Sequence, residues 1–99
     1  MSETSKKLRI HGLVQGVFYR GWSAETARAL GVRGWVRNRR DGTVEAVLSG
    51  ADDVIAAMID ACRRGPPAAR VEAVDAKEGD MKLLEQRRPG ERFSVLRTA

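Results

Sequence analysis

The segment from Gly12 to Gly21 contains the residue types and spacings that point most directly to chemistry. Glycines punctuate it at positions 12, 16 and 21, and Arg20 lies near its end. A glycine-rich loop between a strand and a helix gathers backbone N–H groups that have no helical partner and can bind an anion. The planar guanidinium of Arg20 adds donors that grip an oxyanion through two bonds at once. We therefore predict an anion-binding loop with an arginine beside it.

Other kinds of site find little support in the composition. The chain has one His and one Cys, which lie far apart, so we predict no metal site. A Walker-type nucleotide loop is not predicted, because the glycines do not follow its spacing and no lysine stands in register. Cys62 cannot form an internal disulfide, and its place in an apolar helical stripe predicts an inert core thiol. We therefore expect a protein of the reducing cytoplasm.

Length and hydropathy bound the class of protein. A chain of 99 residues is long enough for one domain, and 42% hydrophobic residues exclude compositional disorder. Residues 1–6 contain no apolar stretch, so we predict a disordered tail there and no secretory signal. The longest uninterrupted apolar run, Val54–Ile59, is far too short to cross a membrane. We expect a single domain with no membrane partner.

Hydrophobic periodicity predicts the elements on either side of the glycine-rich segment. Alternation of apolar and polar residues predicts a strand over 6–14, with Leu8 and Ile10 on its buried face. A helix is predicted over 22–30, and Gly31 is suited to end it. The stripe expected to face the core of this helix consists of Trp22, Thr26 and Leu30, with Ala27 beside them.

The rest of the chain predicts one more helix and four more strands. Asp41-Gly42 between two alternating runs is a hairpin signal, and Gly65-Pro66-Pro67 ends the second helix. Residues 78–91 are polar and favour a loop or a ragged hairpin. The predicted strands cover residues 32–38, 43–49, 71–77 and 93–96, and the predicted helix covers residues 52–64.

This order is β-α-β-β-α-β with a short extra C-terminal strand. Two helices with one apolar stripe each can cover one face of a sheet, which gives two layers. The predicted fold class is therefore α+β: a ferredoxin-like two-layer α/β sandwich, with an antiparallel sheet and both helices on one face. In such a fold the first strand–helix loop lies at the amino end of a helix, where an anion is favoured.

Four blocks of sequence resemble the acylphosphatase family, in the order expected of that family. The resemblance as a whole spans roughly residues 8–97, which is nearly the whole chain. The blocks are Gly12-x-Val14-Gln-Gly-Val-Phe-Tyr-Arg20, Gly34-Trp-Val-Arg-Asn38, Asp41-Gly-Thr-Val-Glu45 and Gly65-Pro-Pro-x-Ala69-x-Val71.

The resemblance implies an enzyme that hydrolyses the carboxyl–phosphate bond of acyl phosphates without metal, cofactor or covalent intermediate. By position in the motif, Arg20 matches the arginine that binds the phosphate, and Asn38 matches the asparagine that orders the attacking water. The partners implied are a small acyl phosphate and inorganic phosphate as product or inhibitor. Nothing in the sequence suggests more than a monomer, so we expect a monomer. The resemblance also implies that the backbone of residues 15–19 forms a cradle for the phosphate. With the arginine included, the substrate-binding residues implied are Gln15, Gly16, Val17, Phe18, Tyr19 and Arg20.

The residue chemistry agrees with this implication. A phosphoryl group passes through a loose, in-line transition state with charge on three oxygens, which a guanidinium and loop N–H groups can bind. The amide of Asn38 can accept from a water molecule and orient it. The leaving carboxylate has a conjugate-acid pKa of about 4, so it departs at neutral pH without a proton. The lack of an obvious catalytic His or acid pair is therefore no objection.

The net charge of +5 supports an alternative class, a nucleic-acid-binding module. Residues 1–50 hold nine basic and four acidic side chains, whereas residues 51–99 hold nine of each. RNA-recognition domains share the predicted element order, but their aromatic strand signature is absent here. A catalytically idle regulatory domain is a second alternative, and the presence of Arg20 and Asn38 argues against it. We therefore expect no nucleic-acid partner.

Several other side chains have structural interpretations. Phe18 and Tyr19 are expected to pack and support the loop rather than stack on substrate, and Trp22 and Trp35 are expected in or beside the core. His11, with no nearby carboxylate in sequence, is expected at the surface. Four arginines are expected to be solvated charges that attract an anionic substrate, namely Arg33, Arg37, Arg39 and Arg40.

Overall fold

The computed structural model describes residues 3–99, which form one five-stranded sheet with two long helices. The order of elements along the chain is the predicted one. The strand that follows the tail begins at Glu3, so the predicted disorder of residues 1–6 is wrong for residues 3–6, and residues 1–2 lie outside the described part. The elements are β1 Glu3–Leu13, α1 Tyr19–Leu30, β2 Arg33–Asn38, β3 Val44–Ala51, α2 Asp52–Arg64, β4 Arg70–Glu78, a 3₁₀ helix Met81–Gln86 and β5 Phe93–Val95.

The strands lie in the order β4-β1-β3-β2-β5, and the sheet is mixed. Strands β1, β2, β3 and β4 pair antiparallel, as predicted, but β5 pairs parallel to β2, so the expectation of a wholly antiparallel sheet is wrong. The cause is topological. Glu78 at the end of β4 pairs with Lys6 near the start of β1, at the end of the sheet where β2 also begins. A strand that starts at that end of the sheet and adds to the free edge of β2 must run parallel to β2.

One face of the sheet packs against both helices and forms the main core. Leu8 and Ile10 are fully buried there, which confirms the predicted face of β1. Val44, Ala46 and Leu48 occupy the same face of β3, as their alternation indicates. The resulting two-layer α+β sandwich is the predicted ferredoxin-like fold.

The opposite face of the sheet carries a second, smaller core. Trp35, Val47 and Leu84 are buried together, and the indole Nε1 of Trp35 donates to the Leu83 carbonyl at 2.7 Å. Residues 78–91 therefore do not form the predicted loop or hairpin throughout. Leu83 and Leu84, at the centre of this polar stretch, pack onto the sheet and hold a 3₁₀ helix over Met81–Gln86.

Helix α1 begins at Tyr19, three residues before the predicted start at Trp22. Its buried face is also rotated from the predicted stripe: Trp22 is partly buried and Leu30 is 36% exposed. Ala27, predicted beside the stripe, is fully buried, and the small side chain of Ala24 is buried with it. The helix can approach the sheet closely there, while the larger side chains lie to one side. The earlier start places Arg20 in the first turn of α1.

Helix α2 begins and ends where its sequence predicts. Asp52 and Asp53 occupy its first turn and favour the positive end of the helix dipole. Gly65 ends it with a φ of 67°, a left-handed conformation that suits glycine. Neither α1 nor α2, nor any other helix within residues 3–99, has the length and apolar character needed to cross a membrane.

Candidate active site

The carboxyl ends of β1, β2 and β5 meet at one end of the sheet, beside the amino end of α1. These strands run in the same direction, because β1 and β2 are each antiparallel to β3 and β5 is parallel to β2. A cavity of about 350 Å³ opens at this end. Both residues predicted to be catalytic line it. The lining residues are Val14, Gly16, Phe18, Tyr19, Arg20, Gly21, Asn38 and Val95.

The loop between β1 and α1 supplies backbone donors to this region. Gly16 and Phe18 have φ angles of 75° and 65°, so the loop curls through two left-handed residues. Residues 15–18 lie outside the helices and strands. Within residues 3–99, no backbone carbonyl accepts a hydrogen bond from any of their N–H groups. The first N–H groups of α1 also lack intrahelical partners. Donors of this kind favour an anion at the mouth of the helix.

Arg20 brings a positive charge to the cavity from the first turn of α1. Its Nη1 donates to the Leu96 carbonyl at 3.1 Å, which anchors the guanidinium just beyond the end of β5. Of the carboxylates within the described chain, none forms an ion pair with Arg20. An anchored cation that no carboxylate neutralises is suited to bind an anionic ligand.

Asn38 is the last residue of β2, and the chain turns immediately after it. Its backbone carbonyl accepts a hydrogen bond from Ala99 N at 3.0 Å. The turn that follows is closed by Arg39 N donating to the Thr43 carbonyl at 2.8 Å, with Gly42 at a φ of 93°. This confirms the predicted hairpin and holds Asn38 at the edge of the cavity.

Gln15 has a role that sequence reasoning did not predict. It was expected to contribute only its backbone, but its side-chain Nε2 donates to the Arg39 carbonyl at 2.8 Å and to the Thr43 carbonyl at 2.9 Å. The two acceptors close the turn that follows Asn38. Gln15 therefore joins the loop that precedes Arg20 to the turn that carries Asn38.

The neighbours Phe18 and Tyr19 have opposite environments. Tyr19 is 2% exposed, and its hydroxyl donates to the Cys62 carbonyl at 2.6 Å, so it supports the loop as predicted. Burial raises the pKa of Tyr19 and also raises the pKa of the Cys62 thiol, to about 11. The thiol is therefore protonated at neutral pH, as expected of an inert core cysteine. Phe18, by contrast, is 65% exposed, so the expectation that it packs into the protein is wrong.

Arg37 and Arg39 were expected to be solvated, but they pair with a buried carboxylate. Glu45 is buried on the helix-free face of the sheet, and Arg37 Nε lies 2.8 Å and Arg39 Nη1 3.5 Å from its Oε1. Lys7 and Arg9 approach its Oε2 at 3.3 and 3.8 Å. Burial acts to raise the pKa of Glu45, but its arginine and lysine partners outweigh burial and hold it below its usual value. Arg37 and Arg39 are therefore paired with a buried carboxylate, but four cations share the single negative charge of Glu45, so most of the positive charge around it is not balanced by it.

His11 also has a partner that its sequence neighbourhood does not show. Its Nε2 lies 3.1 Å from Asp75 Oδ2, across the β1–β4 pair, and the side chain is partly exposed. Within residues 3–99 no group of three or more His, Cys, Asp or Glu side chains is arranged to hold a metal ion. The cavity at the carboxyl ends of the strands is therefore the strongest candidate for a functional site.

Comparison with known proteins agrees with this fold. By architecture the chain is a ferredoxin-like α+β domain. A family model described as acylphosphatase matches residues 6–94. The chain therefore belongs to the acylphosphatase family, and as a member it is an enzyme of the hydrolase class, as the sequence resemblance predicts.

Individual relatives cover nearly the whole chain. An acylphosphatase of Rhodopseudomonas palustris (strain ATCC BAA-98 / CGA009) is 57% identical over 98 residues, which is 99% of both chains. One from Acidovorax sp. (strain JS42) is 58% identical over 84% of this chain and 89% of its own length. The solved structure of an acylphosphatase from Coxiella burnetii superposes with a TM-score of 0.82 at 33% identity, covering 95% of this chain and 93% of that one.

Proposed function

We propose that this chain hydrolyses the carboxyl–phosphate bond of small acyl phosphates, releasing a carboxylate and inorganic phosphate. The observation that carries the proposal is that Arg20 and Asn38 line one cavity beside the loop Gln15–Tyr19. One is a cation anchored without a carboxylate partner, and the other is an amide at the end of a neighbouring strand. Together they supply a grip for the phosphoryl group and a group that can hold water beside it.

In the proposed reaction the phosphoryl group binds between the guanidinium of Arg20 and the loop N–H groups. These donors neutralise the charge that its three non-bridging oxygens carry in the transition state. Because Arg20 is already fixed by the Leu96 carbonyl, little reorganisation is needed as that charge redistributes. Inorganic phosphate fits the same donors, so it is expected to inhibit as well as to leave as product.

Asn38 is proposed to hold the attacking water in line with the bond that breaks. Its carbonyl oxygen accepts a hydrogen bond from the water, whose lone pair then points at phosphorus. The water oxygen forms the new P–O bond, the bond to the acyl oxygen breaks, and its electron pair leaves with the carboxylate. The protons of the water remain on phosphate or pass to solvent. The carboxylate needs no proton to leave, so the reaction as proposed uses no metal or cofactor.

Release of phosphate from benzoyl phosphate, measured with EDTA present, tests this function. Asn38→Ala is expected to lower kcat by about 100- to 1,000-fold, the usual effect of removing one preorganised polar group. It is expected to retain inhibition by inorganic phosphate, whereas Arg20→Ala is expected to lose both turnover and inhibition. Arg63→Ala removes an exposed arginine from the end of α2 and serves as a control for loss of charge. Wild-type kcat in Asn38→Ala, or activity abolished by EDTA, would contradict the mechanism.

The working form is proposed to be a single-domain monomer in the cytoplasm. The buried, unpaired Cys62 agrees with a reducing compartment. Light scattering coupled to size-exclusion chromatography tests the monomer, for which a mass near 10.9 kDa is expected.

A further inference from the structure

Phe18 stands out in the cavity because its conformation and its exposure are both costly. It is the one non-glycine residue within residues 3–99 that has a positive φ, at 65°. Residues other than glycine, asparagine and aspartate rarely adopt this left-handed backbone conformation. The ring is nevertheless 65% exposed, so burial in the core does not compensate for the strain. Strain of this kind concentrates at functional sites.

Gly21 makes room for the ring of Phe18. A Cβ atom at Gly21 would lie 2.1 Å from Cε1 and 2.5 Å from Cζ of that ring, so any other residue would displace it. Gly21 lies in the first turns of α1, where glycine is less favourable than alanine. Two local costs, a left-handed phenylalanine and a helical glycine, are thus accepted to hold one exposed ring beside the cavity.

The cavity has both a polar and an apolar part. Arg20, Asn38 and the backbone at Gly16 form the polar part, which the proposed function assigns to the phosphoryl group and the water. Val14, Phe18 and Val95 also line the cavity and have no polar side-chain atom; Val14 is buried in the main core, so Phe18, at 65% exposed, offers most of this apolar surface. A phosphoryl group gains nothing from an apolar wall, so this wall faces a different portion of the ligand.

We propose that Phe18 is the specificity-determining residue for the acyl group, and that it favours acyl phosphates whose acyl portion is aromatic or bulky and apolar. This inference rests on the proposed acyl phosphate hydrolysis. With the phosphoryl group bound at Arg20, the acyl portion extends toward the cavity mouth and packs on the exposed face of the Phe18 ring. Burial of both apolar surfaces then stabilises the bound substrate through to the transition state.

The test compares kcat/KM for benzoyl phosphate and acetyl phosphate in wild type and variants. The quantity compared is the ratio of kcat/KM for benzoyl phosphate to kcat/KM for acetyl phosphate. The intrinsic difference in reactivity between the two substrates is the same for every variant, so it cancels when the ratios of variant and wild type are compared. In Phe18→Ala the ratio is expected to fall roughly tenfold, which is the effect of losing one aromatic contact. Phe18→Tyr keeps the ring and is expected to keep most of the ratio. Phe18→Asn relieves the left-handed strain and is expected to lose the ratio as Phe18→Ala does.

Leu13→Ala is the matched control, because Leu13 is 51% exposed at the end of β1 but does not line the cavity. It is expected to leave the ratio unchanged. If Phe18→Ala lowers both kcat/KM values in parallel, or if Phe18→Asn keeps the wild-type ratio, the ring does not select the acyl group. These results are distinct from failure of the proposed function, in which wild type hydrolyses neither substrate.

Discussion

The side chain of Gln15 is expected to govern catalysis through position rather than through contact with substrate. Gln15→Leu keeps the bulk of the side chain and removes both hydrogen bonds to the turn after Asn38. The loop and the turn then lose a direct link, and the distance between Arg20 and Asn38 is less well defined. The water and the phosphoryl group must be held within a few tenths of an ångström of the productive geometry, so turnover is expected to fall.

The size of the effect on stability can be worked out from the remaining partners of the two carbonyls. The Thr43 carbonyl still accepts from Arg39 N, and the Arg39 carbonyl still accepts from Gly42 N at 3.1 Å. Neither acceptor is left without a partner, so each lost bond costs about 0.5–1 kcal/mol, the lower part of the usual range. The free energy of unfolding should therefore fall by about 1–2 kcal/mol, which lowers Tm by roughly 4–16 °C in a domain of this size.

The catalytic effect should exceed what this change in stability explains. At a temperature where Gln15→Leu is fully folded, kcat on benzoyl phosphate is expected to fall about 10- to 100-fold, since misplacement by about 1 Å can cost 100-fold. The inhibition constant for inorganic phosphate should change much less, because Arg20 and the loop donors remain. Gln86→Leu, the same substitution at an exposed position on the other side of the sheet, is the control. Wild-type kcat in a destabilised Gln15→Leu would refute the positioning role.

Three further predictions concern the framework around the site. Glu45 has a lowered native pKa, so its charged form adds stability that is complete above the ordinary value of 4.5 and is lost as the pH falls through the native value. Below about pH 4.5, the urea midpoint of wild type should therefore fall more steeply than that of Glu45→Gln. Tyr19→Phe leaves the buried Cys62 carbonyl without this hydrogen bond, and calorimetry should show a loss of about 1–2 kcal/mol. Gly34→Ala would put a Cβ 1.8 Å from the Val47 carbonyl oxygen, so circular dichroism should show a loss of at least about 3 kcal/mol or failure to fold.

Periodicity and turn chemistry predict most of the fold because they act locally. Alternation in β1 places Leu8 and Ile10 correctly, and Gly31 and Gly65 end the helices where expected. The start of α1 is missed because Phe18, a left-handed residue, precedes it without a capping side chain. Such a boundary is set by the geometry of the loop rather than by a helix-start signal.

Contacts between segments that are distant in sequence account for the other features that the sequence did not predict. Gln15 meets the turn 24 and 28 residues further along the chain, and no local pattern marks that meeting. Glu45 occupies an alternating polar position that normally faces solvent, and only the pairing of β3 with its neighbours surrounds it with cations. The parallel direction of β5 likewise depends on where β4 ends. The resemblance predicts Arg20 and Asn38 as site residues, and both line one cavity, whereas the support around them required the three-dimensional arrangement.

The position of β1 between β4 and β3 has a consequence for how the protein folds. Glu3 pairs with Ala51, and Lys6 pairs with Leu48 on one side and Glu78 on the other. Strand β1 must therefore pair with residues at least 34 positions further along the chain, as Ile10 does with Val44, and the entropy of closing such loops must be overcome before these contacts stabilise the chain. Topologies rich in distant pairings fold slowly for their size. Because β1, β2 and β5 all border the cavity, recovery of activity should coincide with closure of the whole sheet, and no earlier intermediate should be active.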